Sequence, residues 1–212
     1  MENFVKILEF IKTINQLKFE SRFRGARPDT DDDSELAPDK ADNVAAHSWR
    51  TTVAVYLLAH ELNIGLDKDK CIKMSLVHDL PEGLTRDIAF DKIINRPELL
   101  LQKERAEPIA MRKLVSILPP ELGEEIFDLW LEYSENKTQE AKFVKIMDKL
   151  ECAYHMIDMG VKNFKSPEAV ARHSMKGYGW LPEMNPIINQ VRAELKNEFI
   201  RFGIEWKAEW DL

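Results

Sequence analysis

The sequence contains few cysteines and no surplus of positive charge. Its two cysteines, Cys71 and Cys152, lie within apolar helical patterns in a chain of 212 residues, so we expect buried thiols rather than a disulfide. The chain has 30 basic and 37 acidic side chains, which gives a net charge of −7. Because binding to a nucleic acid backbone depends on an excess of lysine and arginine, we do not expect a nucleic acid polymer as partner.

Long hydrophobic runs are missing as well. No window approaches the ~18 consecutive apolar residues of a membrane-spanning helix, so we expect no membrane insertion. Charged residues interrupt the N-terminal segment MENFVKILEFIKTINQLKF at regular intervals, which argues against a signal peptide. We therefore expect a cytoplasmic protein. The balance of 44% apolar and 32% charged residues is typical of a folded globular chain.

What the sequence does contain is apolar residues at three- and four-residue spacing, the pattern of amphipathic helices. A first stripe from Phe4 to Leu17 predicts a helix with one buried face. Further helices are predicted at about 43–62, 68–78, 98–117 with a bend or break at Pro108, 121–134, 138–157, 167–173 and 185–202. Residues 19–42 are predicted to form a long acidic loop, and residues 185–212 a C-terminal helix and tail. The prediction is one all-α domain over residues 1–212.

Three predicted helices carry the candidate catalytic and metal-binding residues. They are VAAHSWR with His47, SLVHDLPEG with His78, Asp79 and Glu82, and VKIMDKLE with Asp148. A lone histidine in an apolar helix is more often a hydrogen-bonded core residue, and for His47 alone we favour that interpretation. The order His, His-Asp, Asp on three separate helices favours a metal site, because titratable groups near a core need a partner and a divalent cation supplies one.

With these segments in this order, the chain resembles the HD-domain metal-dependent phosphohydrolases, and within them the 5'-deoxynucleotidase / HD-domain-containing protein 2 group. The matching stretches are LKFESRF (17–23), NVAAHSWR (43–50), MSLVHDLPEGLTRDI (74–88) and TQEAKFVKIMDKLE (138–151). The resemblance implies an HD-type helical domain with a buried metal site. It implies one divalent ion held by His47, His78, Asp79 and Asp148.

The ligand chemistry agrees independently with that implication. Two imidazoles with two carboxylates and no thiolate suit Mn, Co, Fe or Zn, and Mg stays open. The resemblance implies that Glu82 handles the proton of the attacking water or of the leaving group, and that Asp87 contacts the substrate. The alternative is that Glu82 caps the loop and that Asp87 caps the next helical turn.

The resemblance also suggests the substrate contacts. Arg22 takes the position of a family arginine that holds the 5'-phosphate, with Arg24 and Arg27 as rivals. Phe23 takes the position of a tryptophan that crowds the sugar, which leaves the base and sugar preference open. The chain has GLTRD where the family more usually has small residues ending in Gly-Asp. Arg86, directly before Asp87, is therefore expected either to reach the phosphate or to pair with a loop carboxylate.

The leading hypothesis is a phosphohydrolase that releases phosphate from nucleoside 5'-monophosphates, with deoxyribonucleotides the expected class. One alternative is an HD phosphohydrolase acting on a triphosphate, cyclic or modified nucleotide. Another is a non-catalytic HD scaffold that binds metal or nucleotide. Trp206 and Trp210 near the C-terminus offer apolar surface for a partner subunit, and we expect a homodimer.

Overall fold

A computed structural model describes residues 2–22, 42–88, 92–93, 96 and 98–210, and within these ranges the chain is almost entirely helical. The nine α-helices of this part of the chain are α1 (Glu2–Ile14), α2 (Val44–Glu61), α3 (Lys68–Val77), α4 (Glu82–Thr85), α5 (Glu98–Val115), α6 (Pro120–Glu135), α7 (Gln139–Met159), α8 (Pro167–Ser174) and α9 (Asn185–Arg201). An isolated bridge between Ser21 and Asn43 is the one β-type pairing among the described residues. The predicted all-α class is confirmed.

Side-chain caps fix the starts of the three helices that lead into the chemical segments. The side chains of Asn43, Asp67 and Thr138 each accept a hydrogen bond from the backbone N–H three residues later, at 2.9, 3.0 and 3.2 Å. Such caps satisfy donors that would otherwise lack partners in the first helical turn. His47 therefore lies one turn into α2, and Asp148 lies in the middle of α7.

Helix α7 is the centre of the fold and contacts α2, α3, α6, α8 and α9. One apolar core surrounds it, and a second core lies between α1, α5 and α6. Met147 and Leu150 belong to the first core, whereas Val44 and Leu80 belong to the second. Asp148 therefore lies beside residues of the first core, whereas His47 and Asp79 lie near residues of the second. The three side chains lie at the boundary between the two cores.

Two predictions about helices α1 and α5 are wrong in detail. The predicted buried face of α1 is largely exposed, since Phe4, Leu8 and Ile11 are each more than half accessible to solvent. The predicted break at Pro108 is absent, because the fifth helix runs without interruption from Glu98 to Val115, and the alternative of a bend stays a prediction. Periodicity identifies an apolar stripe, but it does not say which neighbour covers that stripe.

The two C-terminal tryptophans pack against their own chain. Trp210 is buried inside its own chain, where Trp206 and Phe199 contact it edge to face. These tryptophans therefore complete the core around α9 and are not a free surface for a partner. Among the described residues, none of the helices combines the length and apolar character needed to cross a bilayer. Phe23, Arg24, Arg27 and the acidic run of the predicted loop lie outside the described residues.

Candidate metal centre and active-site cavity

The four residues predicted as metal ligands come together beside one cavity, which His78, Asp79 and Asp148 line while His47 lies buried behind them. His47 Nε2 lies 3.1 Å from Asp148 Oδ1, 3.5 Å from Asp79 Oδ2 and 3.3 Å from His78 Nε2. His78 Nε2 lies 3.2 Å from Asp79 Oδ2. Helices α2 and α7 and the turn after α3 thus contribute to one cluster, which we call the His/Asp cluster.

The geometry of the His/Asp cluster suits a cation. Ligand atoms of His47, His78 and Asp79 all lie within 4.8 Å of one another. Asp148 joins this group through His47, and its second oxygen accepts a hydrogen bond from the Tyr133 hydroxyl at 2.9 Å. Two imidazole nitrogens and two carboxylates form a donor set that divalent transition metals prefer.

Both imidazole rings are oriented for ligation through Nε2. His78 Nδ1 lies 2.8 Å from the Ser75 carbonyl oxygen, which only accepts, so this nitrogen donates. His47 Nδ1 is hydrogen-bonded in the same sense to the Glu151 carboxylate. In metal sites, a partner on the far ring nitrogen fixes the tautomer that leaves the other nitrogen for the ion. Both Nε2 atoms face the cluster.

The electrostatics of the His/Asp cluster show an excess of negative charge. Burial and the charge of Arg22 act to lower the pKa of His47, yet hydrogen bonds to Asp148 and Glu151 raise it to about 10. Burial acts to raise the pKa of Asp79, but the neighbouring His78 and His47 lower it to about 2. A buried site that holds its imidazole protonated at neutral pH favours a positive charge. The residues present therefore fit a divalent cation.

Glu151 supports His47 from behind, and sequence reasoning did not identify it. Its carboxylate contacts His47, Arg22 at 2.9 Å and Arg50 at 2.8 Å. Burial acts to raise the pKa of this carboxyl, but His47, Arg22 and Arg50 lower it to about 2. Glu151 lies three residues after Asp148, on the same side of α7, and this spacing is the signal that was available in the sequence.

Glu82 lies in the first turn after the His-Asp pair and lines the same cavity. Its side chain is buried, and Lys103 on α5 donates a hydrogen bond to Glu82 Oε1 at 2.7 Å. Burial and the nearby Asp79 charge raise the pKa of Glu82 well above its ordinary value, and Lys103 only partly offsets them. Lys103 also pairs with Glu107 at 3.3 Å. Lys103 thus lies between two carboxylates of the cavity wall, Glu82 and Glu107.

The cavity has a volume of about 460 Å³ and opens onto the His/Asp cluster. Its wall combines carboxylates with basic and aromatic side chains. The chemically relevant lining residues are Arg22, His78, Asp79, Glu82, Asp87, Lys103, Glu107, Tyr133, Lys145, Asp148, Lys149, His173, Lys176 and Trp180. A volume in this range is typical of small-molecule sites.

Comparison with known proteins agrees with this arrangement. The family model described as "HD domain" matches residues 31–178, which is more than half of the chain. The chain belongs to the HD domain family. It is 33% identical over 149 residues to 5'-deoxynucleotidase HDDC2 of Bos taurus and 36% identical over 145 residues to the Xenopus laevis protein of that name. Each match covers 68% of this chain, and it covers 63% and 65% of these relatives respectively.

The aligned part of the chain therefore spans slightly less than two thirds of the length of those curated relatives. A solved structure of a "predicted metal-dependent phosphohydrolase" from Magnetospirillum magnetotacticum superposes with a TM-score of 0.73 at 23% identity. It covers 97% of this chain and 100% of its own. At this level of identity, the likeness shows that the fold is shared.

The turn after Glu82 places Asp87 in the cavity wall of this HD domain. Arg86 has a φ of +67°, in a region of the backbone map that favours glycine. The backbone N–H of Asp87 donates to Glu20 Oε1 at 3.1 Å, which ties this turn to the segment after α1. The positive φ of Arg86 occurs at the position where the family pattern has glycine before aspartate.

Arg22 also lines the cavity, but its guanidinium is strongly engaged by neighbours. It donates to Asp42 and to Glu151, both at 2.9 Å, and lies 2.8 Å from the Cys152 sulfur. Through Glu151 it reaches the back of His47. The predicted contact of Arg22 with a phosphate therefore stays a prediction, and its rivals Arg24 and Arg27 lie outside the described residues.

Proposed function

We propose that this HD domain is a metal-dependent phosphohydrolase that releases inorganic phosphate from nucleoside 5'-monophosphates, with deoxyribonucleotides as the preferred class. The observation that carries the proposal is the position of a buried Glu82, with a raised pKa, in the cavity that also presents the His/Asp cluster. A scaffold that only binds metal has no need of such a group. The names of the curated relatives support the nucleotide class.

The residues that would hold the metal are His47, His78, Asp79 and Asp148. We propose Mn, Co, Fe or Zn for this donor set, with Mg as the remaining alternative. When bound, such an ion activates water and polarises a phosphoryl oxygen. Tyr133 and Glu151 orient two of the four side chains, Asp148 and His47, by hydrogen bonding.

Glu82 is proposed as the general acid/base that moves the proton of the attacking water or of the leaving group. Burial and the Asp79 charge raise the pKa of Glu82, and a carboxyl with a raised pKa takes up a proton more readily than an ordinary one, as a general acid/base must. Asp87 lines the same cavity and is proposed to assist in proton handling and to contact the substrate. Arg22, Arg86 and Phe23 are proposed as further substrate contacts on the basis of the family resemblance.

The experiment is phosphate release from a panel of nucleoside mono-, di- and triphosphates and cyclic nucleotides. The protein is stripped of metal, and Mn, Co, Fe, Mg and Zn are then added back singly. We expect turnover of 5'-monophosphates, faster for deoxyribonucleotides than for ribonucleotides, and none without metal. Turnover of triphosphates or cyclic nucleotides alone would favour the alternative substrate class. Metal binding without any turnover would favour the scaffold.

We also propose that the domain extends over residues 1–212 and forms a homodimer in the cytoplasm. Helix α9 supports the first point, because Ile188, Val191, Leu195 and Phe199 complete the core around α7 beyond the family match. Exposed apolar side chains on α2 and α3 support the second; they are Trp49, Val53, Tyr56, Leu57 and Leu76. Sedimentation of the wild type and of Tyr56→Glu tests the dimer, which the substitution should dissociate.

A further inference from the structure

Two lysines of α7 face the active-site cavity on either side of Asp148. Lys145 precedes that aspartate by three residues, and Lys149 follows it directly. Both line the cavity, Lys149 is buried, and Lys145 is half-buried. Because residues four apart lie on one face of a helix, the two ammonium groups project to the same side of the cavity.

The hydrogen-bond and ring partners of these lysines are neutral or aromatic, and the charge of Asp148 attracts both ammonium groups without an ion-pair contact. Lys145 Nζ donates to the Ser134 carbonyl oxygen at 3.3 Å and lies 4.6 Å from the centre of the Tyr133 ring. Lys149 Nζ lies 3.4 Å from His173 Nε2 and 5.8 Å from the centre of the Trp180 ring. Among the described residues, neither ammonium has a carboxylate oxygen within the 4.0 Å of an ion pair.

Lys103 in the same cavity provides the contrast. Its ammonium is matched by Glu82 at 2.7 Å and by Glu107 at 3.3 Å. Withdrawing an ammonium group from water without a counter-charge is costly, so buried lysines are normally paired. Two lysines that face one cavity without an ion-pair contact therefore offer two cationic donors to an anionic group of a ligand.

We propose that Lys145 and Lys149 form an anion subsite for a phosphoryl group beside the His/Asp cluster. The proposal rests on the proposed function and deepens it, because it assigns phosphate recognition to α7. Lysine binds phosphate as a point charge, and its flexible stem tolerates movement of the group during reaction. The phosphoryl group is either the one that is cleaved or a second phosphate of the same substrate.

Binding of inorganic phosphate to the Mn-loaded protein tests the subsite without requiring turnover. We expect Lys145→Met and Lys149→Met each to weaken phosphate binding at least tenfold in isothermal titration calorimetry, and Lys149→Arg to retain most of it. Lys142→Met is the matched control, since it removes a positive charge from the same helix outside the cavity lining. Phosphate affinities within twofold of wild type in both methionine variants would overturn the subsite.

Circular dichroism and urea unfolding establish that each variant is folded. Methionine preserves the length and apolar stem of lysine, and Lys145 is half-buried, so Lys145→Met decides the question even if Lys149→Met is unstable. Failure of the proposed function appears differently, as absent turnover with phosphate binding and its lysine dependence intact. Loss of the subsite appears as unchanged phosphate binding, whatever the activity.

A second arm identifies which phosphoryl group the lysines bind. The values of kcat/KM are compared for a deoxynucleoside 5'-monophosphate and for the corresponding 3',5'-bisphosphate. If the lysines hold the cleaved group, both substrates lose kcat/KM alike in the methionine variants. If the lysines hold the second phosphate, only the bisphosphate loses kcat/KM. Unchanged kcat/KM for both substrates would overturn the assignment.

Discussion

Two carboxylates flank the His/Asp cluster, and the protein treats them in opposite ways. Glu151 contacts His47 and is surrounded by Arg22 and Arg50, which together lower its pKa to about 2. Glu82 has Lys103 as its hydrogen-bonded cation, but burial and Asp79 raise its pKa well above the ordinary value. Both side chains are buried. Burial alone therefore does not decide the charge of a carboxyl in this site.

The difference assigns different tasks to the two groups. A carboxylate that stays ionised at all working pH values orients His47 and balances charge, but it does not exchange protons during turnover. A buried carboxyl whose pKa is raised binds a proton more readily. Glu151 is therefore a positioning residue, whereas Glu82 is the candidate acid/base. The predictions below test this contrast, in order of decreasing effect.

The largest effect is expected from removing the centre that both carboxylates flank. His78→Ala deletes a ligand atom of the His/Asp cluster, so elemental analysis should find metal reduced from about one ion per chain to a small fraction. Phosphate release should disappear with it. His60→Ala is the control, because His60 is exposed on α2 and should keep full metal content. Full metal content in His78→Ala would contradict the assigned cluster.

Glu82→Gln is expected to reduce kcat by roughly 10²- to 10⁴-fold, the range of general acid/base catalysis. Glutamine keeps the size of the side chain and still accepts the Lys103 hydrogen bond, but it does not transfer a proton. Metal content should be unchanged. Glu107→Gln is the comparison, since Glu107 also pairs with Lys103, and its kcat should stay within tenfold of wild type. Near-normal turnover by Glu82→Gln would contradict the acid/base role and favour the alternative that Glu82 only caps the loop.

The sequence predicts most of the helices because their boundaries are encoded locally. Asn43 and Thr138 cap the helices that carry His47 and Asp148, and those starts fall where the pattern places them. The covered face of α1 could not be predicted, because exposure of Phe4 and Leu8 depends on packing with distant elements. Local signals define elements, and long-range contacts decide which of their faces are buried.

The same division applies to the site. The His, His-Asp, Asp order identifies the four cluster residues in the sequence. In the structure they form one connected group of contacts. Glu151 was missed because its role depends on the register at which α2 meets α7. Lys145 and Lys149 were missed because a lysine on a helix is most often a solvated residue. Only their burial in the cavity wall distinguishes them.

Glu151→Gln is expected to weaken metal affinity by about 10- to 100-fold, as is usual when the partner of a metal-binding histidine is altered. The amide oxygen still accepts from His47 Nδ1, but the negative charge that raises the basicity of the ring is lost. At saturating metal, kcat should stay within tenfold of wild type. Competition with a fluorescent chelator measures the affinity, and Glu140→Gln at the start of α7 is the control. A 100-fold loss of kcat with normal metal affinity would reverse the roles of Glu151 and Glu82.

The last prediction concerns the stability of the metal-stripped protein and no change in activity; Glu151→Gln should destabilise the fold there, whereas Glu82→Gln should not. Glu151 has a pKa lowered from 4.5 to about 2, so its ionised form stabilises the fold by on the order of 3 kcal/mol above pH 4.5. That stabilisation is lost as the pH falls from about 4.5 toward 2. Glu82 has a raised pKa in the folded protein. As the pH rises above the pKa of Glu82 in the unfolded chain, Glu82 therefore lowers the free energy of unfolding.

Urea unfolding at pH 7 should therefore show a lower free energy of unfolding for Glu151→Gln and an equal or higher one for Glu82→Gln. At pH 3 the difference in the free energy of unfolding between wild type and Glu151→Gln should narrow. Glu151 of the unfolded wild-type chain then binds a proton, so its ionised native form stabilises the fold less. Lys103 stays paired with Glu107 in Glu82→Gln, so no buried ammonium is stranded there. Equal destabilisation of the two variants at pH 7 would show that both carboxylates act as ionised structural partners, and the contrast between them would then fail.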